Sequence, residues 1–115
     1  MKSGRDKRVA EEIRREVSQM LYFEISDPSV MGATVTGVKL TPDLRLARVY
    51  YALPGAEERK EAAAKGLKRS APYVRHLLSQ RLSMKFLPQI EFFYDESFEI
   101  EEKIRKLFPE DSSSS

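Results

Sequence analysis

Cysteine is missing from this chain of 115 residues. Its absence excludes disulfide staples and thiolate metal centres, and it fits a reducing compartment. Long hydrophobic runs are missing too: no apolar stretch approaches the ~20 residues of a membrane-spanning helix. The first residues, Met1 to Arg5, lead straight into a charged amphipathic segment and lack the apolar core of a secretory signal. The expectation is a soluble, cytoplasmic protein with no membrane partner. Histidine occurs once, as His76, with no carboxylate near it in sequence, so no catalytic triad can be written. Asp27, Asp43 and Asp95 stand at predicted turns or strand ends, where Asp is expected for turn reasons, and their spacing matches no metal loop. No enzyme activity, cofactor or metal is therefore expected, and a small nuclease built on these scattered acids is the weakest reading.

The most informative absence is local. Between Glu61 and Glu91 there is no carboxylate at all, while Lys65, Lys68, Arg69, Arg75, Arg81 and Lys85 fall inside that stretch. The formal net charge of +2 hides this concentration, because Glu91, Asp95, Glu96, Glu99, Glu101, Glu102, Glu110 and Asp111 crowd the C-terminal end. A local excess of Lys and Arg is the footprint that a polyphosphate partner reads, so nucleic acid is the first hypothesis.

What is present suits one domain with a real core, since 41% of the residues are hydrophobic. From Arg5 to Tyr22, Val9, Ile13, Val17, Met20 and Leu21 recur at helical spacing. The basic start of this helix opposes the helix dipole, which favours an external anion. Ser26-Asp27-Pro28-Ser29 stops it. Thr34 to Leu40 reads as a strand in which Gly37 forces a bulge, so that Val35, Val38 and Leu40 share a face. After the turn Thr41-Pro42-Asp43, Arg45 to Leu53 alternates as the second arm of an antiparallel hairpin, with Ala47, Val49 and Tyr51 on one side.

Ala56 to Arg69 reads as a second helix, with acidic residues in its first turn and basic ones in its last. The apolar stripe Leu67, Ala71, Val74, Leu78 and Leu82 then runs on through Pro72. A proline inside a helix costs about 3 kcal/mol or more, so the spacing predicts a break, with a third helix starting near Ser70. Free amides at that start, flanked by Arg69 and Arg75, would make a phosphate seat; the bland alternative is a kink that fits two helices to a sheet. Pro88 to Tyr94 reads as a third strand with Ile90, Phe92 and Tyr94 on one face. Glu96 to Phe108 reads as a short acidic helix, and Pro109 to Ser115 as a disordered tail. Tyr50, Tyr51, Phe92 and Phe93 are taken as core and cross-strand pairs before base-stacking groups.

This order places the long helices on one face of a three-stranded sheet, an α+β arrangement. Burial of Leu67, Val74 and Leu78 turns Lys65, Lys68, Arg69, Arg75 and His76 outward, whereas Arg81 and Lys85 depend on the bend at Pro72. The candidate RNA-binding set is Lys65, Lys68, Arg69, Ser70, Arg75, His76, Arg81 and Lys85. Arg5, Lys7 and Arg8 of the first helix and Arg45 and Arg48 of the hairpin join it. Two rivals stand beside it: a protein-interaction module working through the acidic C-terminal helix, and a general nucleic-acid binder.

A family resemblance covers Arg5 to Ser97. It is carried by Arg8-Val9-Ala10-Glu11-Glu12-Ile13, by Ile25-Ser26-Asp27-Pro28, and by Val35 through Arg45 with Ala47-Arg48-Val49-Tyr50. Val74-Arg75, Arg81-Leu82 and Pro88 through Ser97 follow in order. Together these segments resemble the bacterial ribosome-binding factor A family. The resemblance implies a KH-like fold of the second topological type, α-β-β-α-α-β, with the Gly-x-x-Gly loop replaced by a helix kink. It also implies an assembly factor that binds the small (30S) ribosomal subunit and its 16S rRNA and supports late maturation of the 16S precursor. Assembly GTPases are further candidate partners, and a monomer is expected. The family's Ala-x-Gly kink is here Ser70-Ala71-Pro72, which removes an amide donor and glycine's freedom. The domain reading is a KH-like RNA-binding domain over residues 1–97, an acidic extension over 98–108 and the tail over 109–115.

Overall fold

The amphipathic start of the chain forms helix α1, Ser3–Gln19, in a computed structural model that describes residues 3–108. The tail expected to be disordered, 109–115, lies outside the described residues. Ile13, Val17, Met20 and Leu21 are all buried, as the spacing predicts. The helix ends in a π-helical turn, Met20–Glu24, closed by the Ile25 amide donating to the Met20 carbonyl at 2.9 Å. The wider turn keeps Met20 and Leu21 inside while Tyr22 and Phe23 project into solvent. A 3-10 turn, Pro28–Val30, follows, capped by the Asp27 carboxylate.

Strand β1, Thr34–Leu40, pairs antiparallel with β2, Leu46–Ala52, and the register shifts between Val35 and Gly37 as the glycine bulge requires. Strand β3, Gln89–Tyr94, lies parallel to β2 on its other side, so the sheet is mixed with order β1-β2-β3. A parallel neighbour needs a long crossover, and helix α2, Glu57–Arg81, provides it. Val35, Ala47, Val49, Tyr51 and Ile90 form the buried face of the sheet against α1 and α2. Arg48, Tyr50, Glu91 and Phe93 occupy the other face, where Tyr50 and Phe93 pair across the strands with ring centroids 5.8 Å apart. The acidic helix α3, Glu96–Leu107, is capped by Asp95, whose carboxylate accepts from the Phe98 amide. It is tied to the body through Glu99, which accepts from the Tyr94 hydroxyl at 3.0 Å and pairs with Lys60.

The α+β class and the covered three-stranded sheet are as expected, with one correction. No helix ends or starts near Ser70: the two predicted helices are one continuous helix with Pro72 inside it. Packing explains the outcome. Leu67, Val74 and Leu78, on both sides of the proline, are completely buried, and each such side chain contributes roughly 1.5–3 kcal/mol. Their sum exceeds the cost of about 3 kcal/mol for the proline. The pyrrolidine ring lies on the exposed side of the helix.

Candidate nucleic-acid interface

The continuity of α2 removes the phosphate seat expected at Ser70. Ser70 is half-buried within the helix and caps nothing, and there is no helix start to present free amides. The helix offers a row of side chains in its place. Lys65, Lys68, Arg69, Pro72, His76 and Ser79 are all exposed and recur at spacings of three and four residues, so they share one face. The packing of Leu67, Val74 and Leu78 on the sheet fixes that face toward solvent.

The other cations have different surroundings. Arg69 donates through Nη2 to the Asp27 carboxylate at 2.9 Å. The hydroxyl and amide of Ser29, followed by the Arg69 guanidinium, hold the Asp27 carboxyl down to about 2. Arg75 is tied by Nε to the Pro88 carbonyl at 3.1 Å and by Nη2 to the Leu87 carbonyl at 2.8 Å. Those acceptors are neutral, so Arg75 fixes the segment leading into β3 while its positive charge stays uncompensated.

Arg81 turns back toward α1 and pairs with Glu24 (2.5 Å) and Glu16 (3.5 Å), both supplied by the segment containing that helix. Its charge is thus committed within the fold, which follows from its place beside Leu77 and Leu78 on the packed side of α2. Among the described residues, no carboxylate forms an ion pair with Lys65, Lys68, Arg75 or Lys85.

Lys85 lies beyond the end of α2 with its ammonium 5.6 Å from the centre of the Phe86 ring. Arg5, Lys7 and Arg8 are exposed at the start of α1. Arg45 follows the hairpin turn, and Arg48 lies over the Phe93 ring at 5.9 Å on the open face of the sheet. The candidate set therefore divides into the α2 row, the α1 start with Arg45 and Lys85 at one end of the molecule, and Arg48 on the outer sheet face.

Two features had no signal in the sequence pattern. One is the delivery of Asp27, Glu16 and Glu24 to a stretch that carries no acid of its own. The other is a pair of depressions that share Gln89: a groove beside α2 lined by Lys68, Arg75, His76 and Ser79, and a larger cleft containing Arg5, Arg45, Lys85 and Phe86.

The acids do not assemble into a metal centre. Asp27 accepts from the Ser29 amide and Arg69, Asp43 from the Arg45 amide, and Asp95 from the Phe98 amide and the Thr36 hydroxyl, so each carboxylate is engaged within the fold. No group of three metal-ligating side chains occurs among the described residues. Among the same residues, no helix is long and apolar enough to cross a membrane.

Comparison with known proteins agrees with this architecture. The profile of the ribosome-binding factor A family matches residues 5–108. Ribosome-binding factor A of Desulfatibacillum aliphaticivorans is 41% identical over 111 residues, which are 96% of this chain and 90% of that protein. The crystal structure of ribosome-binding factor A from Thermus thermophilus aligns with a TM-score of 0.70 at 25% identity, covering 77% of this chain and 93% of that one. The Thermus thermophilus factor as fitted into the cryo-electron microscopy map of a 30S complex aligns with a TM-score of 0.63 at 25% identity, covering 76% of this chain and 91% of that one. By profile, by sequence identity over nearly its whole length and by fold, this chain belongs to the ribosome-binding factor A family.

Proposed function

We propose that this chain is an assembly factor of the small ribosomal subunit, which binds 16S rRNA through the exposed face of α2 and supports late maturation of the rRNA precursor. The observation that carries the reading is the row of Lys65, Lys68 and His76, with the uncompensated charge of Arg75 beside it. Cations fixed along one helix face suit the regular spacing of backbone phosphates and give affinity and register with little sequence information. The relative fitted into a 30S complex supplies the class of partner.

The mechanism is selective binding. A protein that binds one conformation of the maturing RNA more tightly than another shifts the population toward it, and no bond is made or broken. It acts in the cytoplasm, as a monomer. Its release from the particle is a task for a separate energy-consuming partner such as an assembly GTPase.

Lys65→Gln combined with Lys68→Gln tests the reading, because both side chains are exposed and their loss leaves the core intact. The double variant should weaken co-sedimentation with free small subunits. The slope of log affinity against log salt should fall by about one for each phosphate contact removed. Unchanged affinity with an unchanged slope would overturn the α2 interface, and a parent protein that sediments mainly with full ribosomes would overturn the assembly role.

A further inference from the structure

A broad depression lies between the start of α1, the turn joining β1 to β2 and the segment joining α2 to β3, with a volume of about 910 Å3. Its character differs from that of the α2 row. Val9, Leu40, Leu44 and Leu87 give it apolar walls, and Phe86 stands in it with 78% of its surface exposed. A phenylalanine so open to water has no part in the core, and an apolar slot with a few placed polar groups is the usual form of a ligand site.

Three cations, Arg5, Arg45 and Lys85, also line the cleft, and the Lys85 ammonium already sits against the Phe86 ring. The turn below is built under strain. Leu44 has φ of 63°, a left-handed conformation that a leucine rarely adopts. The turn is held by the Asp43 carboxylate, which accepts from the Thr41 hydroxyl and the Arg45 amide. Strain of this kind persists where the surroundings fix it, and it gathers at ligand sites.

We propose that this cleft receives one unpaired nucleotide of the bound RNA, with its base on Phe86 and its phosphates among Arg5, Arg45 and Lys85. The inference rests on the RNA-binding reading above and specifies what that reading leaves open, namely whether bases are touched at all. A flat aromatic face beside cations is what a splayed-out base and its phosphate require together, and a paired base inside a duplex cannot reach it.

Gln89 gives the path. It lines both this cleft and the groove beside Lys68, His76 and Ser79, so a strand following the α2 row is led into the cleft without leaving the protein surface. Asp6 also lines the cleft and offers an acceptor that a base with an exocyclic amino group can use.

The test uses the full chain, a short single-stranded RNA and a blunt RNA duplex of the same sequence. Phe86→Ala should weaken the single strand roughly tenfold, the scale of one lost base–aromatic stack, because it removes the ring and no charge. Duplex affinity and the salt slope should stay as in the parent, and Phe86→Leu should recover only part of the loss.

Equal weakening of strand and duplex would overturn the base-stacking role. So would lost association with small subunits alongside intact binding of free RNA, which would assign the cleft to a protein. If Phe86→Ala changes nothing while Lys65→Gln with Lys68→Gln weakens binding, the cleft is refuted and the α2 interface stands. If neither variant changes RNA affinity, both are refuted.

Discussion

Gly66 lies inside α2 and is buried because the turn Pro28–Val30 crosses it. A β-carbon there would stand 2.1 Å from the Ser29 hydroxyl oxygen, 3.0 Å from Val30 Cγ1 and 3.1 Å from Asp27 Oδ2. Two opposing effects set the outcome of Gly66→Ala. Alanine gains about 1 kcal/mol of helix propensity over glycine, while forced overpacking costs about 1–3 kcal/mol.

The surroundings decide for the loss. Ser29 cannot turn away freely, since its hydroxyl donates to Asp27 at 2.7 Å and its amide donates to the same oxygen at 3.0 Å. Val30 is buried in the core and has no room behind it. A net destabilisation of about 1 kcal/mol is expected, which lowers Tm by about 4 °C for a domain of this size. Thermal and urea unfolding followed by circular dichroism would measure it.

The sharper readout is the same substitution in a Ser29→Ala background. There the shortest contact is gone, and Gly66→Ala should cost about 1 kcal/mol less than in the parent, as coupled neighbours do. RNA affinity should not fall, because displacing the turn releases Arg69 from Asp27. A Gly66→Ala variant as stable as the parent, or an equal cost in both backgrounds, would refute the close docking of this turn on α2.

Two further predictions concern the same helix. Pro72→Ala should stabilise the protein by about 2 kcal/mol, since alanine is ~3 kcal/mol better in a helix interior and gives back up to ~1 kcal/mol in unfolded-chain entropy. A variant no more stable than the parent in urea unfolding would mean that the proline is accommodated without cost. Asp27 has its carboxyl held at about 2 against an ordinary 3.8, so its contribution to stability is present above 3.8 and is lost as pH falls toward 2. Asp27→Asn should remove part of the acid-induced loss of Tm in that window, and parallel Tm–pH curves for the two proteins would contradict the linkage.

Much of the fold was legible because periodicity and turn chemistry are local signals. Gly37 announced its bulge, since only an extra residue could bring Val35, Val38 and Leu40 to one face, and the register shift lies there. Ala47, Val49 and Tyr51 were readable as the buried side of β2 by alternation alone. Pro72 misled for a physical reason: the cost of an interior proline is fixed by the local chain, whereas the burial that overrides it belongs to the sheet on which α2 packs. Long-range pairing was equally invisible. Nothing near Arg81 in sequence indicates that Glu16 and Glu24 stand opposite it. Phe86 carried no periodic signal, being a single apolar residue in the irregular segment before β3.

The carboxylate-free stretch is therefore not free of carboxylates in space, and this sharpens what an RNA partner meets. Arg81 is held by two acids on the packed side of α2, and a phosphate would have to break both pairs to win it. Arg69 differs, because its one ion pair is exposed, and such pairs contribute about 0–1 kcal/mol. A phosphate would offer Arg69 a charge-assisted hydrogen bond of the same kind, so exchanging Asp27 for RNA would cost Arg69 little. Arg75 gives its donors to carbonyls and keeps its charge, which would act on phosphates at a distance. Under the proposed function, the footprint offered to RNA would centre on Lys65, Lys68 and His76 and would be reinforced by the field of Arg75. The acids that α1 and the following turn bring to α2 decide which cations hold the fold together and which would remain for the partner proposed above.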